Sequence, residues 1–328
     1  MKGGALLQRH ETVLEAVPGR ICPTAYRYSP RVFDRPPEVV ADTLYVVGGL
    51  YGNVEALDAL VAMAAREDGP VTIVFNGDFH WFDVASADFH AIAEGVKAHR
   101  RLRGNVETEI AGEASGAGCG CAYPMDVSDA EVSRSNAILE RLRATARSLP
   151  ADREDLARLP MNLVARVGEA RIGIVHGDAA SLAGWGFAHD RLDDPAHARW
   201  IEAALRDGAV DVFAATHTCL PAFRHFVHAG REGVVANNGA AGMPNFAGEP
   251  WGVVTRIARA ASHRRLFGTE IRGTHVEALR LRFDNARWIA RFLAAWPEGS
   301  PAHASYFRRM VSGPRFTLAQ AQPRRIAR

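Results

Sequence analysis

Val71-Thr72-Ile73-Val74-Phe75-Asn76-Gly77-Asp78 is an apolar, β-branched run that breaks at a glycine and ends in a carboxylate. Such a run reads as a buried strand whose polar end lies just past its C-terminus. The same design recurs along the chain. Arg171-Ile172-Gly173-Ile174-Val175 leads to His176-Gly177-Asp178, and Val210-Asp211-Val212-Phe213-Ala214 leads to Thr216-His217-Thr218. The short run Arg101-Leu102-Arg103, the weakest of the four, leads to Gly104-Asn105. Groups carried beyond strand ends sit where open α/β sheets bind small molecules. One carboxylate, one amide oxygen and two imidazoles gathered there suit a hard-to-borderline divalent ion. Asn and Asp also close turns, but four strand ends with this chemistry favour a site.

Outward from these strands the pattern remains α/β. A strand from Asp42 passes through Gly52-Asn53 into an amphipathic helix over 54–66, with Leu57, Leu60, Val61 and Ala64 on one face. A helix over 83–97, with Asp83 as its N-cap, completes a βαβ-type unit. A glycine-rich loop over 112–124, carrying Cys119-Gly120-Cys121, interrupts the pattern. Helices resume over 129–148, opened by the capping box Ser128-x-x-Glu131, and over 152–159. Hairpins are expected from 163–167 with 171–175 across Gly168-Glu169, and from 223–227 with 233–236 across Gly230. A helix over 195–206 leads into the Val210 strand. Residues 1–40, rich in proline and tyrosine, form an extension expected to wrap over the domain. Residues 296–328 are a C-terminal tail whose basic end is expected to fray.

Composition bounds the function classes. The 328 residues are 48% hydrophobic and 23% charged, with a formal net charge of +2. That balance gives no reason to expect nucleic-acid or membrane partners. Lysine occurs only at Lys2 and Lys97. The arginine excess suits phosphate recognition, though codon bias accounts for it equally well. Gln8, Arg9, His10 and Glu11 interrupt the apolar core a signal peptide needs, and the four cysteines make no secreted disulfide framework. The expected location is the cytoplasm. One-residue spacing in Cys119-Gly120-Cys121 is too short for a zinc knuckle, so a structural pair is expected.

The order of the strand-end motifs resembles the calcineurin-like metallophosphoesterases over residues 41–291. In that family five motifs hold two metals about 3.5 Å apart, and the pair activates a water that attacks phosphorus. Gly77-Asp78 matches the second motif, whose Asp bridges both metals, and Gly104-Asn105 matches the third. His176 matches the fourth and His217 the first His of the fifth. The resemblance implies an α/β fold of two packed mixed β-sheets flanked by helices. It places the domain at 41–295, with a helical cap inserted at about 108–160 that selects the substrate. It also implies a small-molecule phosphoester as substrate and one or two divalent ions, Mn, Fe or Zn, as cofactor.

The departures all fall on one half of the family's site. Its first motif, Asp-x-His-Gly-Asn, is here Gly49-Leu50-Tyr51-Gly52-Asn53, so both first-metal ligands are missing. The second His of the fifth motif is Cys219, and the His after Asn105 is Val106. The second-metal set is intact: Asp78, Asn105, His176 and His217. Several readings follow. A one-metal phosphoester hydrolase would use Asp78 to position the attacking water, with Tyr51 and His80 for proton transfer or phosphate contact. A rebuilt first-metal site would recruit Cys219 with Cys119 and Cys121. A non-catalytic descendant would bind a phosphate-bearing ligand or a protein partner. In a fourth reading Cys219 is a nucleophile with His217 as its base.

Overall fold

The computed structural model of the chain describes residues 17–113, 116–228 and 231–327. In chain order its strands are β1 (Val39–Ala41), β2 (Thr43–Val47), β3 (Val71–Asn76), β4 (Arg100–Leu102), β5 (Asn162–Val167), β6 (Ala170–Val175), β7 (Val212–Ala215), β8 (Pro221–His228), β9 (Arg231–Asn238), β10 (Gly252–Ala258), β11 (Arg265–Ile271), β12 (Thr274–Leu281) and β13 (Arg324–Ala327). Its helices are α1 (Val54–Ala64), α2 (Ser86–Lys97), α3 (Asn105–Ala111), α4 (Asp129–Ser148), α5 (Pro150–Ala157), α6 (His189–Leu192), α7 (Ala198–Asp207), α8 (Asn285–Ala295), α9 (Pro301–Ser312) and α10 (Leu318–Ala321). They build a six-stranded sheet, β11-β12-β10-β2-β3-β4, and a seven-stranded sheet, β1-β5-β6-β7-β9-β8-β13.

Side chains alternate across each central strand, and that alternation makes the layers. In β2 and β3, Tyr45, Val47, Ile73 and Phe75 pack with Leu57 and Leu60 of α1 and with Phe89 and Ile92 of α2. Their neighbours Leu44, Val46 and Val74 face the opposite sheet, where they meet Ile172, Ile174, Val212, Ala214, Val234 and Ala236. The other face of the larger sheet buries Val175, Phe213, Ala215 and Val235 against Ile201 and Leu205 of α7. The result is an αββα sandwich of two mixed sheets. Full burial of each large apolar side chain contributes about 1.5–3 kcal/mol. β2, β3 and β4 run parallel, as do β6, β7 and β9, with Val46 opposite Val74 and Ile174 opposite Ala214.

Several expectations need correction. The second helix starts at Ser86 after an Ala85 N-cap, because the Asp83 carboxylate instead accepts from the Trp81 N–H at 3.0 Å. The C-terminal segment does not fray. Arg324–Ala327 adds β13 in parallel beside β8, with Ile326 opposite Phe226. Arg224 of β8, fully buried, anchors it by pairing with Asp193 and donating to the Gln320 and Gln322 carbonyls at 2.8 and 3.1 Å. The boundary expected at residue 40 falls inside β1, which pairs with β5. Upstream of it, the Tyr26 hydroxyl donates to Glu109 and the Tyr28 hydroxyl to the Asp178 carbonyl. The hairpin β8–β9 forms as expected, while its turn at Gly230 lies outside the described residues. Among the described residues no helix is long and apolar enough to cross a membrane.

Candidate metal centre

The four strand-end motifs meet because two glycines let the backbone close up. Gly77 has φ +76°, and a Cβ there would stand 2.5 Å from the Gly104 nitrogen and 2.6 Å from His176 Nδ1. A Cβ on Gly104 would come within 2.3 Å of Asp78 Oδ1. Glu107, buried at the start of α3, ties the turn together. Its carboxylate accepts from the backbone N–H groups of Asp78 (2.8 Å), Phe79 (3.0 Å), His80 (3.2 Å) and Gly104 (2.8 Å). Burial, and next the Asp78 carboxylate, raises the Glu107 pKa. The Asn76 amide crosses to the other sheet and donates to the Val175 carbonyl at 2.5 Å. That contact joins the ends of β3 and β6.

At this junction the protons point away and the lone pairs point inward. His176 Nδ1 lies 2.9 Å from the Asn76 carbonyl and donates to it, which leaves Nε2 bare. His217 Nε2 donates to the Cys121 carbonyl at 3.1 Å, which leaves Nδ1 bare. The Asn105 amide nitrogen donates to the Cys119 carbonyl at 2.9 Å, so its oxygen faces the imidazoles. His176 Nε2 then sits 3.1 Å from Asn105 Oδ1, 3.1 Å from His217 Nδ1 and 3.4 Å from Asp78 Oδ2. Four acceptors at these distances repel unless a cation or a proton stands among them. The pKa directions agree. Burial pulls His176 down, but Asp78 and the Asn76 carbonyl outweigh it, and the net shift is upward. Burial and the neighbouring His176 push His217 down to about 3, so it stays neutral. Two imidazoles, a carboxylate and an amide oxygen, each with its second face anchored, are a donor set that fits Mn, Fe or Zn.

The adjoining half is built differently. Tyr51 packs its ring over Gly49, where a Cβ would meet Tyr51 Cζ at 3.0 Å. Its hydroxyl lies 2.8 Å from Cys219 Sγ, and Cys219 Sγ in turn donates to the His217 carbonyl at 3.3 Å. Arg309 of α9 donates to the Cys219 carbonyl at 2.6 Å and the Pro244 carbonyl at 3.0 Å. The Tyr51 hydroxyl, the Cys219 thiol and two guanidinium nitrogens of Arg309 are thus all partnered. At this junction the metal-type groups that cluster among the described residues are Asp78, His176 and His217, with no cysteine. Cys219, expected as a further ligand, and Cys119 and Cys121, expected in a rebuilt site, are not among these groups. Sγ of Cys219 is committed to Tyr51 and the backbone. Cys119 and Cys121 are buried in the helix-side core; their carbonyls accept from Asn105 and His217, and Cys121 Sγ also accepts from the Asn105 amide at 3.6 Å. Burial also pushes the Cys219 thiol up, and its contact is with the His217 backbone instead of the imidazole, which removes the thiolate–histidine pair.

These groups line a cavity of about 40 Å³, with Trp81, Val106, Tyr123, Trp185 and Tyr306 completing its wall. That is room for an ion and a water or two, since one water needs roughly 10–15 Å³. Tyr51, Asp78, His217 and Cys219 all line it and have positive φ of 57°, 51°, 31° and 62°. Such conformations cost of order 1–3 kcal/mol each and concentrate at functional sites. His80, expected beside the reacting groups, is not in this wall. It stacks on Phe89 at 3.8 Å, and its Nδ1 pairs with Asp83 at 2.5 Å, because the residue after Phe79 turns back towards α2. No α4 residue reaches the cavity either. α4 packs against α2, α3, α5 and α9, so the loop before it, not the helix, covers the site. Glu107, Trp185, Tyr306 and Arg309 were not anticipated. Only Glu107 carried a signal, an acid three residues after Gly104 at a helix start.

Two crystal structures share this architecture. A hypothetical protein from Pyrococcus horikoshii OT3 superposes with a TM-score of 0.56 at 17% identity, over 85% of this chain and 100% of its own. A metallophosphoesterase from Sphaerobacter thermophilus superposes with a TM-score of 0.50 at 17% identity, over 83% of this chain and 100% of its own. No protein-family model and no curated protein matches the chain. At this identity the likeness speaks to the fold. The chain carries the two-sheet fold of the calcineurin-like metallophosphoesterases.

Proposed function

We propose that the protein is a metal-dependent phosphoester hydrolase that works with one divalent ion, held by Asp78, Asn105, His176 and His217. The observation that carries this reading is the convergence of four lone-pair atoms: two imidazole nitrogens and an amide oxygen whose N–H groups are turned outward, and an Asp78 carboxylate oxygen. An ion bound there supplies a Lewis acid for a phosphoryl oxygen and a lowered pKa for water. The chain's own groups do the rest. Glu107 holds the Asp78 turn by four backbone N–H groups, and the Val106 N–H donates to Asp78 Oδ1 at 3.2 Å, which leaves Oδ2 directed at the cluster. Burial, then Cys219 and Asp78, pushes the Tyr51 phenol well above its usual value. Tyr51 therefore keeps its proton and serves as a donor, not a base. Substrate choice falls to the loop that carries Cys121 and Tyr123 rather than to the helices of 108–160.

A second reading, a phosphate-binding protein without turnover, is favoured by the small cavity and by the Tyr51–Cys219 pair that fills its other half. Elemental mass spectrometry of wild type beside His217→Ala, with phosphoester turnover measured on both, separates the two. About one equivalent of Mn, Fe or Zn with metal-dependent turnover, both lost in the variant, supports the hydrolase. Metal without turnover selects the binding reading. No metal after reconstitution overturns the hydrolase and favours the non-catalytic reading.

A further inference from the structure

A second cavity of about 690 Å³ lies against the metal-site cavity and shares Trp185 as a wall. The chain alternates between the two. His217 and Cys219 line the small cavity and Thr218 the large one, while Tyr123 lines the small and Pro124 the large. Trp185 is pinned between them by its indole N–H on the Cys121 carbonyl at 3.0 Å and by its edge-to-face contact with His217 at 5.5 Å. The larger volume suits a small organic ligand.

Its charge is informative. Asp178, at the inner wall, spends its carboxylate on the N–H groups of Ala180, Ser181 and Gly186. Arg191 faces Asp194 at 3.1 Å. Asp126 and Asp190 line the cavity with no ion pair among the described residues, and Asp190 Oδ1 accepts from the Arg191 backbone N–H at 2.9 Å. Trp185 and Trp200 add aromatic surface, and His189 adds ring nitrogens without a hydrogen-bond partner among those residues. Two carboxylates without an ion pair would repel an anionic ligand, and together with indole faces they suit hydroxyl, ammonium or methylammonium groups.

We propose that this cavity receives the alcohol part of the substrate, and that the alcohol is uncharged or cationic, so that the substrate class is a phosphomonoester of a polyhydric or amino alcohol. This rests on the hydrolase reading above. The test compares phosphocholine and glycerol 3-phosphate with 3-phosphoglycerate, in wild type and in Asp126→Lys/Asp190→Lys. Both kcat/KM and the binding constant from tryptophan fluorescence are measured on the metal-loaded protein. The expected result is a preference of at least about tenfold for the non-anionic esters, reduced to near unity or inverted in the variant. Asp126→Asn/Asp190→Asn should lie between the two. Equal treatment of all three esters, or a preference that survives the charge reversal, overturns the proposal. Binding without turnover keeps the two failures apart. If no ester is hydrolysed but the binding preference and its reversal hold, the hydrolase reading falls and the cavity assignment stands for a bound phosphoester.

Discussion

The two halves of the site solve opposite problems with similar materials. Around His176, the two imidazoles and the Asn105 amide each donate to a backbone carbonyl, Asp78 Oδ1 accepts from the Val106 N–H, and all four turn a lone pair inward, an arrangement suited to a positive charge. Around Tyr51, donors and acceptors match: hydroxyl with thiol, thiol with carbonyl, guanidinium with two carbonyls. That half is complete as it stands. A metal site is thus marked less by which residues are present than by where their protons go. The same residue types with protons facing inward would be an ordinary buried hydrogen-bond network.

The comparison can be broken by substitution. Asp78→Ala or His176→Ala should reduce metal content to background and turnover by about a thousandfold, in line with the several kcal/mol that an ion supplies to the transition state. Metal at full occupancy in both variants would sink the assignment. Glu107→Ala leaves four buried backbone N–H groups without an acceptor. We expect a loss of about 3 kcal/mol or more in urea unfolding, and metal binding weakened by about 10–100-fold. On the completed side, Tyr51→Phe and Cys219→Ser should each cost about 1 kcal/mol and leave metal content unchanged. Metal loss in Cys219→Ser would show that the two halves are not independent. The smallest effect is a null. Because burial raises the Cys219 pKa above its usual 9.0, the thiol stays protonated at pH 8. Iodoacetamide at that pH should leave Cys219 unmodified in the folded protein, as read by intact mass. Reactivity would begin only as pH rises past the shifted value, and modification at pH 8 would return the thiolate reading to contention.

The layers were legible because strand alternation is local. Leu44, Val46 and Val74 face one side and Tyr45, Val47 and Phe75 the other, a pattern written into consecutive residues. The four lone-pair residues were legible because each stands at the end of such a run. Orientation was not. Nothing in Asp78-Phe79-His80 indicates that His80 turns towards Phe89, since that depends on Glu107 gathering three successive N–H groups. Nor do Cys119 and Cys121 reveal that their carbonyls, which any residue would supply, receive the Asn105 amide and the His217 imidazole. The C-terminal segment was misread for a similar reason. Arg324–Ala327 looks like a basic tail until Arg224, a hundred residues earlier, is seen to anchor it from inside β8.

Tyr306 and Arg309 cover a site whose last lone-pair residue, His217, is made about 90 residues before them. At ribosomal rates of ~5–20 residues per second, that separation lasts about 5–18 s. During synthesis the four inward-facing groups therefore precede their cover. If the proposed ion is taken up in that interval, donor chemistry and the local metal pool choose it, before the finished cavity can select by size.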